Sequence, residues 1–230
     1  MDQISASIIL DTAIAKISNH NYNDLALPKF IEAFTYFNTK NPLVLEEEHY
    51  PFMEDLVQLI KSDSELQIRI ARYYGVRVDD VCYEETLDSR NPNFNNYSVV
   101  LGNLYLDDLS NVNFRELMYV EGNLTIKNSD NIRFEKMSDV GNNLEVASSS
   151  KVEMPEIFHI GNNFKVDSSE IADLPYLEDV DGDFVIEDSP VIDCPKLDVV
   201  GGELTCSDEQ KKAFVNLKRV NKKNITNIRL

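Results

Sequence analysis

The stretch Val120-Glu-Gly-Asn-Leu-Thr-Ile126 decides how this chain is read, because it returns every twenty residues without insertion or deletion. It comes back as Val140-Gly-Asn-Asn-Leu-Glu-Val146, Ile160-Gly-Asn-Asn-Phe-Lys-Val166, Val180-Asp-Gly-Asp-Phe-Val-Ile186 and Val200-Gly-Gly-Glu-Leu-Thr-Cys206. Val100-Leu-Gly-Asn-Leu-Tyr-Leu106 anticipates it. A fixed period of this length is the signature of a stacked solenoid, in which each repeat buries its apolar edge only against its neighbours.

Counting each repeat from its opening valine as slot 0, apolar residues recur at slots 0, 4, 6, 12, 14 and 17. In one repeat these are Val140, Leu144, Val146, Val152, Met154 and Ile157; in the next, Ala172 holds slot 12. Slots 4 and 6 alternate with polar slots 3, 5 and 7, the period of a half-buried strand. Identical strands stacked one per coil must pair in parallel, about 4.8 Å apart. Each fully buried aliphatic contributes about 1.5–3 kcal/mol, so several coils together offset the ordering entropy that one cannot. Glycines at slots 1 and 2, among them Gly122, Gly141, Gly161, Gly182 and Gly201, are expected to make the tight, often positive-φ turn into the strand. Pro155, Pro175 and Pro195 share slot 15, which predicts an extended or 3₁₀ far side rather than an α-helix. Ser129, Ser149, Ser169 and Ser189 share slot 9, where a serine ladder is expected to bond the backbone of the next coil.

The wording resembles leucine-rich repeats, and more narrowly the receptor L-domain solenoids, whose phrase Gly122-Asn-Leu-Thr-Ile126 carries letter for letter. The resemblance covers about 100–207. It implies a recognition scaffold and no chemistry. The sequence departs from the usual pattern at its first leucine position, here Leu101, Glu121, Gly141, Gly161, Asp181 and Gly201, and at the inward asparagine, here mostly serine.

Before the repeats, residues 1–80 read as helical. Ile4, Ile8, Ile14 and Ile17 recur at helical spacing, and Pro28 and Pro51 sit where a first helical turn accepts proline. Ser62-Asp-Ser-Glu65 has capping-box spacing ahead of a helix through Leu66, Ile70 and Tyr73 that stops at Gly75. The expected fold class is therefore α+β: a small helical N-terminal domain over 1–80 that caps a right-handed parallel β-solenoid of about six leucine-rich-repeat-like coils over 81–207. Within it, 81–99 reads as a degenerate first coil, because Glu84 and Thr86 do not suit a strand core. Residues 208–220 read as a C-terminal cap and 221–230 as a basic tail. A dozen residues, Ile70 to Val81, resemble the closing helices of phage-type helix-turn-helix repressors. The turn and recognition helix that would enter a major groove are not visible, which argues against DNA binding.

Charge narrows the function. Residues 1–80 carry seven Lys/Arg against thirteen Asp/Glu, residues 81–207 eight against twenty-five, and residues 208–230 seven against two. A body this acidic repels phosphate backbones and disfavours nucleic acid; a protein partner with a basic surface fits better. The N-terminus lacks a basic signal-peptide region and no apolar run reaches the ~20 residues of a membrane span, so a cytoplasmic protein is expected, with delivery by a non-Sec route compatible. Cys194 and Cys206 occupy apolar slots and read as small core residues of a reducing compartment.

No catalytic, cofactor or metal site is expected. His20, His49 and His159 are dispersed and read as surface residues. Asp179, Asp181, Asp183, Glu187 and Asp188 cluster but lack the ligand order of a calcium loop. What remains is the outward strand face. Slot 5 supplies Tyr105, Thr125, Glu145, Lys165, Val185 and Thr205, and slot 7 supplies Asp107, Lys127, Asp167 and Glu187. These are the candidate partner-binding residues of a non-enzymatic interaction module, an effector or regulatory adaptor of bacterial type. The alternative expectation assigns nucleic-acid or membrane-surface contact to the basic tail and helical segment, with the solenoid as spacer.

Overall fold

A computed structural model describes residues 64–83, 86–91, 94–214, 216–220 and 225–227. The helices expected before Ser64, and with them His20 and His49, lie outside the described residues. Helix α1 spans Ser64–Tyr74. It ends as the glycine predicted: Gly75 adopts φ 70°, its N–H donates to the Arg72 carbonyl at 3.1 Å, and Val76 N–H donates to Ala71 at 2.9 Å. That double closure is a Schellman motif. The last residue of the repressor-like stretch, Val81, then becomes solenoid, since Val81–Cys82 pairs in parallel with Val99–Val100.

The body is a parallel β-solenoid with up to three strands per coil. Two-residue strands at slots 19 and 0, such as Tyr119–Val120 and His159–Ile160, form one eight-stranded sheet; longer strands such as Leu124–Lys127 and Leu144–Ala147 form a second. Ser110–Phe114, Asp130–Phe134 and Ser150–Glu153 make a three-stranded sheet on the far side, which is non-helical as expected; the coils of Pro175 and Pro195 turn there without adding a strand to it. Register advances by twenty residues: Leu124 faces Leu144, and Leu144 faces Phe164. Side chains at slots 0, 4, 6, 14 and 17 fill one continuous core, with Phe114 stacked on Phe134 and Phe164 on Phe184 at 4.6 Å between centroids.

Three local expectations are corrected. The repeat glycines do not take positive φ; among the described glycines only Gly75 does. They are needed because the stacked backbone passes too close: a Cβ on Gly161 would lie well inside van der Waals contact with the Gly141 carbonyl oxygen. The left-handed corner sits instead at slot 8, where Asp108, Asn128, Ser148, Ser168 and Asp188 adopt φ between 45° and 54°. Short polar side chains bear that conformation better than bulky ones. Second, slot 12 of one coil is filled by Ile171, which turns inward to bridge Val152, while Ala172 is exposed. Slot 11 is left-handed in the earlier coils, at Asn111, Asn131 and Lys151, and a β-branched isoleucine does not adopt that conformation readily. The chain re-registers by one residue and buries the larger side chain.

Third, the ends hold more sheet than the twenty-residue count finds. The coil over 81–99 is shorter than its successors: Leu87, rather than Glu84, lies opposite Leu104. Beyond the repeats, Ser207 caps helix α2, Asp208–Ala213, by accepting the Gln210 N–H. Buried Gln210 then receives the Ile192 N–H at 2.7 Å and returns its own amide N–H to the Ile192 carbonyl at 2.5 Å, as a neighbouring strand would. The chain next rejoins both large sheets, Arg219–Val220 beside Val199–Val200 and Ile225–Asn227 beside Leu204–Cys206. Part of the expected basic tail is thus a rung.

Candidate functional site

Outward residues of the second sheet are placed by the same register that builds the core. Tyr105, Thr125, Glu145, Lys165, Val185 and Thr205 stand in one row, rung after rung. Asp107, Lys127, Asp167 and Glu187 stand in a parallel row, interrupted by Ala147. All ten expected site residues therefore share one face. Tyr105 is exposed and the other nine are half-buried by their neighbours.

The charges on this face satisfy one another. Lys127 Nζ lies 3.3 Å from Glu145, and Lys165 Nζ lies 3.3 Å from Asp167 and 3.5 Å from Glu187. Partial desolvation pulls the Lys165 ammonium down, but Asp167 and Glu187 outweigh it and hold its pKa above the usual lysine value. Asn128 donates to Asp107 at 2.9 Å. These are exposed pairs, so each is worth little to stability; their effect is to quench the field of the row.

Slot 3, beside the face, is a structural ladder. The Asn103 side-chain oxygen accepts the Asn123 N–H at 2.9 Å, Asn143 accepts from Asn163 at 3.1 Å, and Asp183 accepts from Glu203 at 2.7 Å. The slot 9 serines form a second ladder. Ser149 Oγ accepts the Ser129 N–H at 3.1 Å and donates to the Ala147 carbonyl at 2.9 Å, so each serine serves the preceding coil rather than the next. Both ladders belong to the scaffold, which leaves slots 5 and 7 for recognition.

The first sheet presents a different flank, which sequence reasoning passed over. Its outward slots 16 and 18 carry Glu156 and Phe158 on one coil and Tyr176 and Glu178 on the next, all four exposed. His159 beside them is held between carboxylates of two other coils: Nδ1 lies 3.7 Å from Asp139 and Nε2 3.4 Å from Asp181. The nearby Asp139 carboxylate, with help from Asp181 and against partial desolvation, raises its pKa above the usual histidine value. The signal was present as a column: Asp139, His159 and Asp179 all fall in slot 19.

Other candidate chemistry does not assemble. The acidic residues from Asp179 to Asp188 are spread around the coil, with Glu187 committed to Lys165. Among the described residues no group of three or more His, Cys, Asp or Glu is arranged to hold a metal ion. Cys82, Cys194 and Cys206 are buried thiols outside any disulfide; burial pushes the Cys194 thiol up and the Cys206 thiol to about 11, away from nucleophilic use. No described helix is long and apolar enough to cross a membrane. No protein family, curated protein or solved structure matches the chain.

Proposed function

We propose that this chain is a non-enzymatic recognition scaffold of leucine-rich-repeat-like character, a regulatory adaptor or effector, that binds a partner protein along the outward face of the second sheet. One observation carries the reading. Slots 5 and 7 form two aligned rows across successive rungs, free of the structural duty that slots 3 and 9 perform, and they vary in chemistry where the scaffold slots repeat. A partner lying along the rows meets a tyrosine, threonines, a valine and paired charges in fixed order. Solenoids bind in this way because each coil extends the surface of the last. Recognition here rests on shape and hydrogen bonding more than on net charge, since the row's lysines are already neutralised.

The test is quantitative affinity capture with two folded double variants. Thr125→Arg with Val185→Arg obstructs the strand face; Asn113→Arg with Asp173→Arg adds the same bulk to the far side. Partners lost by the first and retained by the second support the reading. Equal retention, or equal loss, overturns it. The reading that gives nucleic-acid or membrane contact to the C-terminal segment gains no support here, because Ile225–Asn227 is paired into the sheet.

A further inference from the structure

The exposed flank of the first sheet holds a two-by-two patch. Slot 17 points into the core at Ile157 and Leu177, so slots 16 and 18 on either side of it point out. Two successive coils fill these four places with Glu156 and Phe158, then Tyr176 and Glu178, aromatic above carboxylate in one column and carboxylate above aromatic in the other. The rungs are locked together: Phe158 N–H donates to the Ser138 carbonyl at 2.9 Å, and Glu178 N–H donates to the Phe158 carbonyl at 2.9 Å.

Two features make the patch incomplete as a solvated surface. Phe158 and Tyr176 are 43% and 44% exposed, although the chain has a core large enough to hide aromatic rings such as Phe164 and Phe184. Among the described residues, Glu156 and Glu178 form no ion pair, whereas the charges of the strand face do. The neighbouring coil shows what such a surface accepts. Lys196 lays its ammonium over the Tyr176 ring, 4.3 Å from the centroid. Among the described residues Phe158 has one ring contact, with His159 at 6.1 Å, and no cation on its face.

We infer that the patch of Glu156, Phe158, Tyr176 and Glu178 docks a basic partner segment, with an arginine stacked on Phe158 and its guanidinium shared by the flanking carboxylates. Arginine suits the place better than lysine, because its planar head stacks on a ring while its edge bonds a carboxylate in two places. Charge complementarity selects this occupant. Two carboxylates against the single ammonium of Lys196, with the Phe158 face uncovered, favour a cationic chain over an acidic or a purely apolar one. The inference is independent of the strand-face reading, since it concerns another side of the coil.

Fluorescence anisotropy with a labelled oligo-arginine peptide at low salt tests it, with wild-type and variant folds checked by circular dichroism. Phe158→Ala is expected to weaken binding by about tenfold, and Glu156→Gln with Glu178→Gln by as much or more. Asp108→Asn with Asp188→Asn removes the same charge from the opposite corner, at positions where asparagine keeps the left-handed backbone, and should change affinity less than about twofold. Equal loss in both carboxylate pairs means that the peptide reads only net charge and overturns the inference. So does an unaffected Phe158→Ala protein, or no binding by the wild type. A dimer in sedimentation velocity that Phe158→Ala dissociates makes a second copy the occupant, and also overturns it. The strand-face variant Thr125→Arg with Val185→Arg should bind the peptide almost as the wild type does, so this inference and the strand-face reading fail separately.

Discussion

The two outward surfaces of the coil are built by the same repeat and differ in one respect. On the strand face, lysines stand one rung from the carboxylates they neutralise, Lys127 beside Glu145 and Lys165 beside Glu187. On the flank, Lys136 pairs with Glu116 and Lys218 with Asp198 toward its two ends, but between them Glu156 and Glu178 alternate with aromatic rings and form no ion pair among the described residues. A solenoid repeats its neighbours, so a charge placed once per coil is always about 4.8 Å from whatever occupies that slot next. Column chemistry, more than overall composition, decides whether a surface is self-satisfied or open to a partner. The net charge of the body conceals this, because it sums both surfaces.

The strongest way to break the comparison is to remove the scaffold beneath both. Leu144→Asp places an unpaired carboxylate where the side chain is fully buried and should cost more than about 3 kcal/mol, seen as loss of the cooperative unfolding transition. Gly161→Ala pushes a Cβ into the Gly141 carbonyl and should cost about 1–3 kcal/mol in urea denaturation. An alanine tolerated there would sink the claim that close stacking, not positive φ, requires the glycine. Ser149→Ala orphans the Ser129 N–H and should cost about 1–2 kcal/mol by the same measurement, leaving both surfaces in place.

Smaller effects separate the two surfaces. His159 bridges Asp139 and Asp181, with Asp179 in register beside it, and its folded pKa is raised. Its contribution is therefore complete below the unfolded value of about 6.5 and fades as pH rises through the folded value. The unfolding free energy of the wild type relative to His159→Gln, from urea denaturation, should fall from pH 5.5 to 8 by under about 1 kcal/mol because the ring is partly exposed. No pH dependence in that difference would mean the bridge does not form. Smallest of all, Lys165→Gln should lower stability by less than about 0.5 kcal/mol, since the pair is solvated, while Glu178→Gln should leave it unchanged. Comparable losses in the two would erase the difference between the paired strand face and the unpaired carboxylates Glu156 and Glu178.

The solenoid and its strand face were legible in the residues because one period governs both. Once Leu144 and Val146 point in, Glu145 and Ala147 must point out, and the ten expected site residues fall on one face. The flank was not legible in the same way. Slots 16 and 18 mix Lys136, Glu156, Tyr176, Ser138, Phe158 and Glu178 with no repeating character, and only the stacking shows which of them are neighbours.

By itself, then, the sequence determined the period, the strands, the inward set, the non-helical far side and the acidic balance of the body. Each follows from spacing or side-chain chemistry within one repeat. The tertiary structure alone decided the rest. It moved the left-handed corner to slot 8, turned Ile171 inward in place of Ala172, slipped Leu87 into the first rung and returned the C-terminal segment to the sheets. These outcomes depend on what the adjacent coil presents, whether a carbonyl too close for a Cβ, a backbone pair seeking partners, or an apolar space to fill. No single repeat carries that information, because in a stacked fold every coil is completed by its neighbour.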